Sequence, residues 1–449
     1  MLDAELGIDR DYLSIAENEI GIGGGRESGG KGKNKQVLDH CSYYARASPG
    51  HGYNTHMRLL ATLLLVALPM AGQSGLDPAR LAQIPIRMKG FADRGLMAGS
   101  VTLVARHGKV VALDASGYTD LETKKPLRTD ALFQLHSMTK PVVAMAAMML
   151  MEEGKLSLND PVEQYLPEFR GQRLLLGETL KKPSRRITIR DLMTHTSGLP
   201  LNPPPGIGEL HGALHKTLAE AVLVISQAPL EFEPGSKWQY SNEGIATLAR
   251  IVEVLGDMPF EKFLAARIFT PLGMKDTYIY PPKEKWSRLP TAYILKDGKP
   301  LKYTADPLGE GAMKYREGAK YPLPEGGLYS TASDLFLLYQ MMLNGGELNG
   351  VRILSPTSVE SMTQVHTGDL ATSGPGMGYG LAWAVARDSA AAPLSAGTYG
   401  HGGRYGTYCF IDPKQELIGI FLIQREGGSD ERNAFVNMTY GALTGRASH

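Results

Sequence analysis

Two stretches of the chain carry a two-residue apolar period. Val101, Leu103 and Ala105 fall on one face, His107-Gly108 supplies a turn, and Val111, Leu113 and Ala115 resume the pattern. This spacing predicts a β-hairpin. Near the other end Tyr408–Ile411, a turn at Asp412-Pro413-Lys414-Gln415, and Leu417–Ile423 predict a second hairpin. Between them the period changes. Every residue from Val142 to Met151 is apolar and rich in Ala and Met, which predicts a buried helix. Pro141 fits only near the start of such a helix, so the helix begins close to Ser137. Ile245, Leu248, Ala249, Val252 and Leu255 share one face of a helix over Glu243–Leu255. Thr331-Ala332-Ser333-Asp334 has the pattern of a capping box ahead of a helix over Leu335–Leu343, and Phe435–Leu443 predicts a closing helix. The expected fold class is therefore α/β. An antiparallel sheet built from both ends of the folded sequence is flanked by helices, with an inserted all-helical domain over about 142–325.

The first 74 residues stand apart. Residues 1–56 include a Gly-rich run from Gly21 to Gly32 and keep no apolar period, and they read as disordered. At Met57-Arg58 one positive charge precedes the apolar run Leu59–Leu68, and then come Pro69, Ala71, Gly72 and Ser74. That order predicts a signal peptide over 57–74, with residues 1–56 an extension upstream of the true start and residues 75–449 the folded domain. The expected location is the periplasm or outside the cell. The apolar run is too short to cross a bilayer, so no stable membrane span is expected.

Composition narrows the function classes. With 47 Lys+Arg against 46 Asp+Glu the net charge is +1, which argues against a nucleic-acid partner. The chain has two cysteines, Cys41 and Cys409, so neither a disulfide framework nor a cysteine zinc site is expected. Cys409 lies in the apolar run Tyr408–Ile411 and reads as a core residue. No G-x-S-x-G or H-E-x-x-H occurs. His211 and His215 are four apart, but without an interposed Glu and beside Pro203–Gly206 they do not read as a metal site.

S-x-x-K occurs twice, at Ser28–Lys31 and Ser137–Lys140. The first lies in the Gly-rich extension. In the second, serine and lysine are one turn apart at the start of the buried helix, where backbone N–H groups and the helix dipole suit a nucleophile that generates an oxyanion. A buried lysine there can serve as base. Local context supports equally a helix-capping serine beside a solvated lysine.

Five stretches tip that balance: Phe133–Pro141, Leu192–Leu199, Pro234–Gly244, Gly326–Leu335 and Gly400–Gly403. Their order and spacing over residues 80–445 resemble the serine β-lactamase and penicillin-binding-protein superfamily, and most closely its class C β-lactamases and family VIII carboxylesterases. The resemblance implies Ser137 as nucleophile, with Lys140 and the Tyr240 phenolate sharing its proton. The backbone N–H groups of Ser137 and Arg404 would form the oxyanion hole. Asn242, in a Y-x-N motif with Tyr240, would donate to a substrate carbonyl or hold Lys140. His401-Gly402-Gly403 stands where β-lactamases carry K-T-G and many family VIII esterases carry W-G-G. The glycines would let the strand approach the substrate. A histidine is mostly neutral at pH 7, which weakens binding of anionic substrates and favours neutral esters, and the alternative reading of His401 is a structural strand residue. Arg404 next door is a cation that would offset this. No metal or organic cofactor is required.

The resulting expectation is a serine hydrolase of short-chain carboxylic esters acting on a small-molecule ester or β-lactam. Alternatives are a β-lactamase or D-alanyl-D-alanine carboxypeptidase, and a non-hydrolytic penicillin-binding sensor. His195 has no derivable role beyond packing, and Lys237 reads as a surface charge. The Leu201–Gly208 loop reads equally as an acyl-pocket wall or a surface connector. Oligomeric state is not readable from the sequence.

Overall fold

The computed structural model describes residues 74–202, 215–303, 316–391 and 393–445. The extension, nearly all of the expected signal peptide, Cys41, His211 and residues 203–208 of the Leu201–Gly208 loop lie outside them.

Nine strands and seven helices among the described residues frame the site, in chain order. They are α1 (Gln83–Asp93), β1 (Gly99–Arg106), β2 (Lys109–Gly117), α2 (Lys140–Glu152), β3 (Leu174–Leu176) and β4 (Thr179–Lys181). Next come α3 (Ile189–Thr194), α4 (Leu218–Ile225), α5 (Asn242–Gly256) and α6 (Ala332–Leu343). The chain ends with β5 (Met377–Tyr379), β6 (Ala384–Ala386), β7 (Tyr399–Gly402), β8 (Tyr408–Asp412), β9 (Leu417–Ile423) and α7 (Asp430–Gly441).

The main sheet has seven strands in the order β5-β6-β7-β8-β9-β1-β2, all pairs antiparallel. Both predicted hairpins are present. β9 pairs with β1 over Ser100↔Ile423 to Arg106↔Leu417, so the two ends of the folded chain meet in the sheet. Alternation then sorts the side chains to two faces. Val101, Leu103, Ala105, Ile418, Ile420 and Leu422 join the larger core with α2 and α6. Val104, Leu417, Phe421 and Ile423 join the smaller one with α1 and α7. A one-residue slip would exchange these sets, which fixes the register. Arg106 at the end of β1 is buried and donates to the carbonyls of Ser74, Gly75, Gln415 and Gly445, tying the start of the described chain to its end.

α2 is buried from Lys140 to Leu150, as its unbroken apolar run requires, with Pro141 in its first turn. A 3₁₀ turn over His136–Thr139 precedes it, and Ser137 lies in that turn. The segment between α2 and α6 is helical in its main elements. It also carries two small β-hairpins that the sequence reading did not anticipate, β3–β4 and Tyr293–Lys296 with Lys299–Lys302. The Thr331 cap of α6 forms by half. The Thr331 hydroxyl accepts from Asp334 N–H, but the Asp334 carboxylate turns to Asp276 N–H and the Thr277 hydroxyl.

Candidate active site

Ser137 sits at the junction of a strained turn and a helix. His136, just before it, has φ +47°, a conformation costly for a non-glycine residue and found where surrounding structure enforces it. That enforcement is visible. Phe133–Gln134 pairs with Tyr329–Ser330, Leu135 N–H donates to the Leu328 carbonyl (2.8 Å), and Leu328 N–H donates to the Thr139 hydroxyl (3.1 Å). From the other side the Thr407 hydroxyl donates to the Leu135 carbonyl at 3.0 Å. At Gly403 a Cβ would stand 2.1 Å from the Leu135 carbonyl oxygen and 2.2 Å from Thr407 Oγ1. The close approach that Gly403 permits is thus to the serine turn itself, and it brings the end of β7 against Ser137.

Lys140 is fully buried. Its ammonium donates to Ser137 Oγ (3.0 Å) and to the Glu325 carbonyl (2.8 Å), and lies 4.6 Å from the centre of the Tyr240 ring. Ser137, Lys140 and Tyr240 therefore meet, although Tyr240 is 100 residues distant in sequence. A hydroxyl held by a buried ammonium that also faces a phenol can lose its proton locally and attack an electrophile.

Tyr240 is positioned by His195. Gln239 N–H donates to the His195 carbonyl (2.9 Å) and Ser241 N–H donates to His195 Nδ1 (3.2 Å), so both neighbours of Tyr240 are anchored on one residue. The His195 and Tyr240 rings lie 4.4 Å apart. His195 can do this because it ends α3 in the left-handed conformation, φ +58°, which turns both its carbonyl and its ring toward the tyrosine loop. The tautomers of the cluster follow from its partners. His195 Nδ1 accepts, so Nε2–H donates to Tyr379 Oη (3.2 Å). His401 Nδ1–H donates to the Gly402 carbonyl (2.7 Å), so Nε2 accepts from the Tyr379 hydroxyl (3.1 Å). Burial, reinforced by the Lys140 charge, pushes His401 down to about 3 and His195 well below the usual histidine range. Both rings are neutral at pH 7.

The Beta-lactamase family model matches residues 87–441. The chain belongs to the β-lactamase family. Esterase EstB of Burkholderia gladioli is 32% identical over 394 residues, covering 78% of this chain and 93% of that protein. EstCE1, a hydrolase with promiscuous acyltransferase activity, has a solved structure with a TM-score of 0.70 and 31% identity, covering 82% of this chain and 99% of that one. A Salmonella enteritidis protein, provisionally named a D-alanyl-D-alanine carboxypeptidase, is 28% identical over 398 residues, covering 81% of this chain and 86% of that protein. The chain is a serine hydrolase of the β-lactamase family.

Several expectations for this family member change with the geometry. His401 was expected to face substrate. Its side chain is instead buried, with both ring nitrogens committed to protein groups, so it packs behind Tyr240 with Tyr379. Asn242 was expected to hold Lys140 or meet substrate. It opens α5, is half-exposed, and its amide donates to Asn202 Oδ1 (3.2 Å), while Lys140 donates to the Glu325 carbonyl. Arg404 was expected to supply a backbone N–H and a cation able to offset the neutral histidine. Its guanidinium is 2.9 Å from Glu426 Oε2, which takes up that charge. Gly402 lies on β7 beside His401. Lys237 is exposed as expected, and Cys409 is a core residue whose thiol burial pushes up to about 12.

Two buried carboxyls escaped the sequence reading. Glu243 is 1% exposed on α5, and Glu325 is buried beside Lys140 with its carboxyl taking a hydrogen bond from the Tyr321 hydroxyl (3.1 Å). Burial and then the Glu325 charge raise Glu243 well above the carboxylate range. Burial also raises Glu325, but Lys140, Tyr321 and Arg316 oppose the shift. The tyrosine hub makes a testable case. Tyr379→Phe leaves two buried histidine nitrogens without their partner, and should cost about 2–5 kcal/mol in denaturant unfolding. A loss below about 0.5 kcal/mol would show that the hydrogen-bonded cluster contributes nothing to the fold.

Proposed function

We propose that this hydrolase is a carboxylesterase for short acyl esters. Ser137 Oγ attacks the ester carbonyl and passes its proton to the Lys140–Tyr240 pair. A tyrosine needs a neighbouring cation to act as base near neutral pH, and the Lys140 ammonium against its ring supplies one. The tetrahedral oxyanion is held by the N–H groups of Ser137 and Arg404. Tyr240 returns the proton to the departing alkoxide, leaving an acyl group on Ser137 Oγ. Water, deprotonated by the same pair, then releases the acid and restores the serine.

The observation that carries the ester reading is the state of the Gly400–Arg404 strand end. His401 is neutral and faces inward, and the Arg404 side chain is engaged by Glu426. Among the described residues a substrate carboxylate at this strand end finds no cation dedicated to it, whereas a neutral ester needs none. The likeness to EstB and EstCE1 supports the same choice. The Salmonella relative favours a second reading, a carboxypeptidase or β-lactamase using the same serine.

The test is steady-state turnover of p-nitrophenyl butyrate and nitrocefin by one preparation. The proposal expects kcat/KM for the ester to exceed that for nitrocefin by at least about 10², equivalent to a few kcal/mol of discrimination. Comparable or faster nitrocefin turnover would make the protein a β-lactamase. A stoichiometric burst with no turnover would make it a penicillin-binding sensor. The signal peptide read at 57–74 also leads us to propose that it acts in the periplasm or outside the cell. A mature N-terminus upstream of Leu59 would contradict that.

A further inference from the structure

The β3–β4 hairpin presents an unusual surface. Leu175 and Leu180 are cross-strand partners and are 41% and 55% exposed, and Leu176 at the tip is 47% exposed. Leu174, one position earlier, is buried and roots the hairpin in the core. Gly177 makes the two-residue turn with φ +60°. Around these leucines the charge is one-sided. Residues 170–186 carry six Lys and Arg against one acid, Glu178, in a chain whose net charge is only +1. Arg185 is engaged by Asp191 and Arg186 by Glu163. Arg170, Arg173, Lys181 and Lys182 are exposed and have no acidic partner among the described residues. At the base of the hairpin Arg170, Arg173, Lys182, Arg185 and Arg186 line one open cleft.

We propose that this hairpin docks the protein peripherally on an anionic lipid bilayer. The leucine tip would enter the headgroup boundary, and the flanking cations would meet lipid phosphates, the combination by which surface-bound segments hold to membranes. Lysines and arginines suit the place because their stems follow the apolar surface while their heads stay at the phosphate level. A second copy of the chain is a poor occupant. Three half-exposed leucines fall far short of the ~800 Å² per partner of a stable interface, and a two-fold contact would set the two basic rims against each other. No helix among the described residues is long and apolar enough to cross a membrane. This proposal does not depend on the esterase reading.

Flotation with vesicles of pure phosphatidylcholine and of phosphatidylcholine mixed with phosphatidylglycerol tests it. The protein should partition onto the anionic vesicles at least about tenfold more than onto the neutral ones, and raised salt should reverse this. The pairs Leu175→Ser with Leu180→Ser, and Lys181→Glu with Lys182→Glu, should each weaken binding about tenfold while turnover of p-nitrophenyl butyrate in solution stays unchanged. Glu178→Gln should strengthen it. Equal binding to both vesicle types, or binding that survives the leucine pair, overturns the proposal. So does a wild-type dimer in sedimentation velocity that the leucine pair dissolves, because the patch would then be a self-interface.

Discussion

Ser137→Ala is expected to lower kcat/KM for p-nitrophenyl butyrate by at least about 10⁴-fold, the scale on which serine hydrolases lose activity with their nucleophile. The substitution removes one oxygen from a half-buried residue whose turn is fixed by its neighbours. Leu135, Thr139, Leu328 and Thr407 hold that turn through their own hydrogen bonds. Lys140 keeps its bond to the Glu325 carbonyl, so the ammonium stays in place. The variant should therefore fold with an unchanged melting temperature, and the loss should fall on kcat. Retention of more than about a hundredth of the activity would mean that another group carries the acyl transfer.

Tyr240→Phe is expected to lower kcat by about 10²–10⁴-fold, the usual contribution of a positioned general acid–base. Phenylalanine keeps the ring against His195 and under the Lys140 ammonium, so packing is preserved and the change isolates the hydroxyl. The proposed base acts deprotonated, so kcat/KM of the wild type should rise with pH through its titration. In the variant that rise should disappear. His195 and His401 cannot produce it, because burial holds both neutral through this range. A loss below about tenfold, or an unchanged pH profile, would leave Lys140 alone as base and remove the role assigned to the tyrosine.

Local periodicity carried most of the fold that was legible beforehand. The six apolar side chains of β9 and the unbroken run of α2 left little choice of element, and the β1–β2 and β8–β9 turns carried their own signals. Ser137 and Lys140 were legible because one helical turn brings them together. Tyr240 needed the family resemblance, since nothing local marks a tyrosine before a helix as a base. The supporting cluster was not legible. His195, Tyr379 and His401 come from the end of α3 and from two non-adjacent strands of the sheet, and only the tertiary fold joins them. The burial of His401 was not legible for a related reason. A residue type at a motif position does not say which way the side chain turns, and here Tyr379 takes the ring. Glu243 was passed over because a glutamate in the first turn of a helix normally faces solvent. The β3–β4 hairpin was missed because three-residue strands offer too short a period to read.

In the proposed reaction ester hydrolysis proceeds through an acyl group on Ser137. Acid-quenching the enzyme during turnover of p-nitrophenyl butyrate, followed by peptide mass mapping, tests it directly. The account predicts one added butyryl group, confined to the peptide containing Ser137 and absent from Ser137→Ala. A butyryl group on a different residue, with Ser137 unmodified in a catalytically active preparation, would contradict it.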